Sequence, residues 1–119
     1  MKIHHIGIVV NNIQDSLGEF SKFIKFDEKT IPTLIGSQKV NVCFMKLGEL
    51  RIELIEPVGN DSPVLNFLEK GGGFNHICFE VENLMETQKH LMEHGIEMHN
   101  LKKGKDNVLS GIVYDPDGN

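Results

Sequence analysis

An internal repeat constrains the fold of this chain more than any other feature of its sequence. The segment His5–Ile13 returns as His76–Leu84, with His-Ile at the start of both copies and Val-x-Asn before an aliphatic residue at the end. Matched positions lie 71 residues apart. A repeat at a fixed period indicates that one supersecondary unit is used twice. We therefore expect two similar units that close on each other, with His5 and His76 facing one another across a shared site.

The first unit begins with a strand and a helix. The β-branched run Ile3–Val10 predicts a strand that is buried on at least one face. Asn12 is typical of a helix N-cap, and Asp15 follows at the capping-box position. Apolar residues then recur at spacings of three and four, which predicts one buried stripe of a helix that continues to Ile24.

Three more strands complete this unit. An irregular strand over Lys29–Leu34, a strand over Val40–Met45 and a strand over Leu50–Ile55 are predicted, and Gly48-Glu49 forms the hairpin turn between the last two. The alternation of the third strand places Ile52 and Leu54 in the core. The order of the first unit is thus β-α-β-β-β.

The second unit repeats this order after a short connecting helix. Ser62 is the expected cap of that helix, with Pro63 at its first position. Asn83 caps the next helix, which ends at Gly95. The predicted strands of this unit are Ile77–Val81, Ile96–Leu101 and Leu109–Tyr114. We therefore expect one α+β domain over residues 1–119, with modules at 1–58 and 72–119 joined by a helix over 62–70.

Composition and charge exclude several functional classes. The net charge of −5 and the pI near 5.6 argue against nucleic acid as a partner, because phosphate binding needs a concentrated basic face. No apolar run approaches the roughly 20 residues of a membrane span. The N-terminal residues show no apolar signal region, so we expect a cytoplasmic protein. Cys43 and Cys78 lie in strand-like runs and are expected to be buried free thiols.

The alternation of side chains along the strands predicts a polar site. If Ile6 and Ile8 pack under the first helix, His5 and Gly7 face the other way. By the same reasoning, Ile77, Phe79 and Val81 are expected to be buried under the second helix, and His76 faces the other way. On the strand Leu50–Ile55, Glu53 points away from the core. Two imidazoles and a carboxylate on a concave sheet face suit a borderline divalent metal. Alternatively, each histidine is a solitary, hydrogen-bonded strand residue.

A rival motif lies in the second helix. His90-Leu91-Met92-Glu93-His94 matches the H-x-x-E-H pattern of inverted zinc metalloproteases. That reading needs a third ligand from a distant segment, and only 25 residues follow His94. Solvated helix residues are the simpler interpretation of both histidines. His4 is expected to be structural.

Five segments occur in a specific order along the chain: His5–Ile13, Arg51–Pro57, Asp61–Pro63, His76–Val81 and Asp115–Gly118. In this order they resemble the vicinal oxygen chelate superfamily, and they are most similar to its methylmalonyl-CoA epimerase and lactoylglutathione lyase (glyoxalase I) branches. The resemblance implies paired βαβββ modules whose curled mixed sheet encloses a divalent metal held by His5, Glu53 and His76. Nickel, cobalt, manganese or zinc is expected in preference to calcium, because imidazole is a poor ligand for hard cations.

The resemblance also implies a function. It predicts a metal-dependent epimerase or isomerase that removes a proton next to a carbonyl of an acyl-CoA, with Glu53 as the catalytic carboxylate. Lactoylglutathione lyase acting on a thiol adduct, and a non-catalytic binding or resistance protein of the same fold, are the alternatives. The family's fourth ligand, a Glu on the last strand, would fall near position 124, beyond Asn119, so that strand is expected to be missing. An unpaired strand edge there predicts a homodimer.

Overall fold

The computed structural model describes residues 1–104 and 107–118 and has an α+β architecture. It comprises two compact units, one of residues Ile3–Phe79 and one of Met1–Lys2 with Glu80–Asn119. The strands are β1 (Lys2–Val9), β2 (Glu28–Lys29), β3 (Thr33–Ile35), β4 (Val40–Leu47), β5 (Leu50–Pro57), β6 (Gly73–Glu80), β7 (His99–Lys103) and β8 (Leu109–Ile112), and the helices are α1 (Ile13–Phe20), α2 (Leu65–Glu69) and α3 (Leu84–Glu93).

A mixed sheet forms the first unit. Its strand order is β2-β4-β5-β1-β6, with β3 also paired to β4. β4 and β5 form the predicted antiparallel hairpin, whereas β1 runs parallel to β5. In that parallel pair Gly7 lies opposite Glu53. β1, which is the first strand of the first repeat, therefore lies between β5 and β6. β6 is the first strand of the second repeat.

The two faces of this sheet carry two separate apolar clusters. Ile13, Cys43, Met45 and Leu54 are buried on the α1 face, with Ile8 packed against them. The other cluster contains Val9, Val40 and Ile55, and residues of α2 pack against it. Ile8 and Val9 thus enter different clusters, as the alternation of a strand requires. The predicted orientation of β1 is confirmed.

Both asparagine caps are present. The side chain of Asn12 accepts a hydrogen bond from the backbone N–H of Asp15 at 2.9 Å, and that of Asn83 accepts one from Glu86 at 3.0 Å. Each bond satisfies one of the amides that have no partner in the first turn of a helix. Matching caps at matching positions of the repeat confirm that both copies begin a helix in the same way.

Two predicted helix boundaries are wrong. The first helix ends at Phe20 and not at Ile24, because the backbone tightens there: Phe23 N–H bonds to Phe20 C=O, and the Phe23 side chain is 73% exposed. Ser62 does not cap the connecting helix, because α2 begins at Leu65, which places Ser62 outside its first turn. The Ser62 hydroxyl is buried and has no hydrogen-bond partner among the residues that the structure describes.

The described part of the chain from β6 onwards is more exposed than predicted. α3 contains no buried residue. β7 pairs antiparallel with β8 and begins at His99, three residues after the predicted start at Ile96. On β6, Ile77 and Phe79 are 42% and 53% exposed, so the burial predicted for them is wrong. Cys43 is buried as expected, but Cys78 is partly exposed. Within the described residues no helix is long and apolar enough to cross a membrane.

Candidate functional site

Three neighbouring strands bring the predicted ligands together. His5 lies on β1, Glu53 on β5 and His76 on β6. Gly7 pairs with Glu53, and His5 lies two residues before Gly7 on the same face. The Nε2 atoms of His5 and His76 are 3.0 Å apart, and Oε1 of Glu53 lies 3.6 Å from each of them. The structure thus assembles all three side chains that the sequence singled out.

Burial controls the charge of this cluster. It raises the pKa of Glu53 to about 7. Burial also lowers the pKa of His5 to about 4, with smaller contributions from His76, His4 and Arg51, and it lowers the pKa of His76. Both imidazoles are therefore neutral at pH 7, so the 3.6 Å contacts with Glu53 are not ion pairs at that pH. Neutral imidazoles are the form that binds metals.

The residue that precedes each histidine binds its other ring nitrogen. Nδ1 of His5 lies 2.8 Å from Nδ1 of His4, and Nδ1 of His76 lies 2.8 Å from Oδ1 of Asn75. His4 and Asn75 occupy matching positions of the repeat, 71 residues apart. Partners of this kind fix the orientation and the tautomer of a metal-binding imidazole. The sequence pattern predicts only a structural role for His4 and gives no separate signal for Asn75.

These contacts determine where the protons lie in the metal-free site. The amide oxygen of Asn75 can only accept, so His76 carries its proton on Nδ1 and presents a lone pair at Nε2. His5 then donates from Nε2 to His76, which leaves the lone pair of His5 on Nδ1. His4 donates its Nδ1–H to that lone pair. Binding of an ion at Nε2 of His5 therefore requires His5 to move its proton to Nδ1.

Gly7 creates the space that His76 occupies. A Cβ atom at Gly7 would overlap the His76 ring, and its distance from Nδ1 would be 2.5 Å. Real side chains do not tolerate such an overlap, so only glycine permits the ring to lie over β1 at this point. The sequence signal for this was a glycine in the middle of a β-branched strand, which often marks a close approach.

Gly7→Ala should therefore displace His76 and weaken metal binding about tenfold or more, with an overpacking cost of about 1–3 kcal/mol. Metal titration and chemical unfolding would measure the two effects. Gly18→Ala is the matched control, because no atom lies within 4 Å of the added Cβ and alanine favours the helix. Equal metal affinity in Gly7→Ala and Gly18→Ala would contradict the role of Gly7.

The rival histidines do not form a comparable cluster. His90 and His94 lie on the exposed face of α3, with ring centroids 4.5 Å apart and ring planes inclined by 51°. Nδ1 of His94 contacts the carbonyl oxygen of His90. Within residues 1–104 and 107–118, neither belongs to a group of three possible metal ligands. The metalloprotease reading gains no support.

Comparison with known proteins identifies the superfamily to which this chain belongs. The model of the Glyoxalase/Bleomycin resistance protein/Dioxygenase superfamily matches residues 4–110. The chain belongs to this superfamily, as its motifs predicted. Its fold matches that of a hypothetical protein from Bacillus halodurans with a TM-score of 0.86 and 31% identity, covering 98% of this chain and 86% of that one. These findings confirm the predicted vicinal oxygen chelate fold.

Particular relatives are epimerases or have no assigned function. The mitochondrial methylmalonyl-CoA epimerase of Bos taurus is 31% identical over 99 residues, which cover 82% of this chain and 56% of the bovine protein. The ethylmalonyl-CoA/methylmalonyl-CoA epimerase of Cereibacter sphaeroides is 32% identical, over 79% of this chain and 71% of its own length. An uncharacterised protein of Bacillus subtilis is 37% identical over 82% of this chain and 69% of its own. The chain thus spans little more than half the length of the bovine relative.

Proposed function

We propose that this protein is an epimerase that moves a proton at the carbon next to the carbonyl of an acyl-CoA, with methylmalonyl-CoA as the first substrate to test. The observation that carries the proposal is the convergence of His5, Glu53 and His76 on one face of the sheet. Two relatives at 31% and 32% identity are epimerases of this substrate class by name. A similar solved fold, the epimerase of Streptomyces coelicolor, binds 2-nitronate-propionyl-CoA.

The donor set fits a divalent ion. Ligand atoms about 2.1 Å from one ion lie roughly 3.0–3.4 Å from each other. The three ligand atoms of His5, Glu53 and His76 are separated by 3.0, 3.6 and 3.6 Å, so small side-chain movements suffice. Two imidazoles and one carboxylate favour nickel, cobalt, manganese or zinc over calcium. Such an ion, when bound, acts as a Lewis acid towards the substrate carbonyl.

Glu53 is the proposed proton carrier. Its side chain is 15% exposed, and burial raises its pKa to about 7. A carboxyl group with that pKa exchanges protons readily at neutral pH, which is the condition for efficient general acid–base catalysis. The two histidines are unsuited to this task, because burial lowers the pKa of each of them. We therefore assign proton transfer to Glu53 and not to either histidine.

Deuterium exchange tests this function directly. The purified protein, loaded with each candidate metal in turn, should wash deuterium into the α-carbon of methylmalonyl-CoA in heavy water. The hemithioacetal of methylglyoxal and glutathione serves as the competing substrate and tests the lactoylglutathione lyase reading. Metal binding without exchange on either substrate would overturn the enzyme proposal and favour a binding protein of the same fold.

Metal affinity should depend on pH through Glu53. The carboxylate binds an ion more tightly than the neutral acid does, so protonation of Glu53 below its pKa of about 7 competes with the metal. Affinity should fall about tenfold per pH unit below pH 7 and level off above it. His5, with a pKa of about 4, adds little to this slope above pH 5. Isothermal titration across pH 5.5–8 measures the profile, and a flat profile would contradict the assignment.

A further inference from the structure

A second group of possible ligands adjoins the first. His4, His5 and Cys78 each offer one ligand atom, and the three atoms lie within 4.8 Å of one another. The Nδ1 atoms of His4 and His5 are already 2.8 Å apart. Cys78 lies on β6 two residues after His76, so its side chain leaves the same face of that strand. All three residues are partly exposed, which gives an ion a route from solvent.

The two groups use different ring nitrogens of His5. His5 donates from Nε2 to His76, so its lone pair is on Nδ1, the nitrogen that faces His4. Binding at Nδ1 of His5 therefore needs no change of tautomer at His5, although His4 must move its proton from Nδ1 to Nε2 if it binds through Nδ1. Binding at Nε2 of His5, beside Glu53, requires His5 itself to change tautomer. A neutral imidazole has a single lone pair and can serve only one of the two groups at a time.

We propose that His4, His5 and Cys78 form a second metal site for thiophilic ions such as Zn²⁺ or Cd²⁺, and that it competes with the His5–Glu53–His76 site for His5. On binding, the Cys78 thiol releases its proton to solvent and the thiolate coordinates the ion together with the two imidazoles. Three protein ligands of this kind leave a fourth tetrahedral position for water. Nothing in the proposed epimerase reaction requires this site.

The two sets of ligands are expected to prefer different metal ions. Thiolate ligands select soft and borderline metals, whereas carboxylate suits manganese. Mn²⁺ should therefore bind only at the site that contains Glu53. Cd²⁺ should prefer the site that contains Cys78 and remove His5 from the other. An excess of a thiophilic ion should consequently displace Mn²⁺, because His5 belongs to both groups.

Thiolate-to-metal absorption tests the proposal. Titration of the metal-free protein with Cd²⁺ should produce a near-ultraviolet charge-transfer band that saturates at one ion per chain. Cys78→Ser should abolish the band, and His4→Ala should weaken Cd²⁺ binding at least tenfold. Cys43→Ala is the matched control, since Cys43 is buried in the α1 cluster and its loss should leave the band unchanged. Glu53→Gln should also retain the band, because it impairs only the first site.

Two results would overturn the proposal. One is a Cd²⁺ band that persists in Cys78→Ser, and the other is its absence from the wild-type protein at stoichiometric Cd²⁺. X-ray absorption of the wild-type Cd²⁺ complex provides a second test that needs no variant, and a first coordination shell without sulfur would also overturn it. These readouts do not depend on turnover. A protein that lacks epimerase activity but shows the band would refute the proposed function and leave the second site standing.

Discussion

Glu53→Gln should lower the rate of proton exchange by about a hundredfold or more. The amide has nearly the shape of the carboxyl group and its oxygen can still coordinate an ion, but it cannot take up a proton. The expected pattern is therefore a retained fold, a moderately weaker affinity for the metal and a loss of deuterium wash-in. Measurement of exchange at saturating metal separates the loss of the base from the loss of the ion.

Glu56 offers a matched control for this variant. It lies three residues further along β5, where its carboxylate accepts hydrogen bonds from the backbone N–H of Ile13 at 3.1 Å and from the side chain of Asn41 at 3.0 Å. Glu56→Gln removes a carboxylate outside the candidate site and should leave the exchange rate at saturating metal unchanged. Equal exchange rates in Glu53→Gln and the wild type would refute the role of Glu53 as base.

Loss of either strand histidine should abolish stoichiometric metal binding. His5→Ala and His76→Ala each remove one of three ligands, and we expect affinity to fall by more than about a hundredfold, since the loss of a mere supporting partner already costs 10–100-fold. Elemental analysis after dialysis, with Mn²⁺ as the probe, measures this result without interference from thiolate binding.

His90→Ala is the control for both histidine variants. His90 lies on the exposed face of α3, and among the described residues it belongs to no group of three possible ligands. Its loss should leave the Mn²⁺ content unchanged. Full retention of Mn²⁺ in both His5→Ala and His76→Ala would refute the site, whereas loss only in His90→Ala would restore the metalloprotease reading.

The sequence was sufficient to predict the candidate site because two strong regularities act together. The repeat placed His5 and His76 at equivalent points of equivalent strands, and strand alternation placed them on one face with Glu53. Neither step depends on details of side-chain packing. The family resemblance then agreed with the same three residues, and the superfamily and the fold are confirmed by comparison.

Features that depend on local contacts could not be predicted in this way. The end of α1 at Phe20 depends on a tightened final turn, which apolar periodicity does not reveal. The overlap between a Cβ at Gly7 and the His76 ring depends on how closely β6 approaches β1, two strands far apart in sequence. The contact of His4 with His5 violates simple alternation, since consecutive residues of a strand normally point to opposite faces.

The order of the strands also couples the site to folding. The proposed ligands come from β1, β5 and β6, so they converge only after the whole segment between His5 and His76 has folded. The unfolded chain has no equivalent arrangement. An ion bound in the native state would therefore cross-link the two ends of that segment and stabilise the folded state. At a free concentration one hundred times its Kd, such an ion adds about 2.7 kcal/mol to the free energy of unfolding. The concentration of the metal in the surroundings would then determine how far the folded state is stabilised.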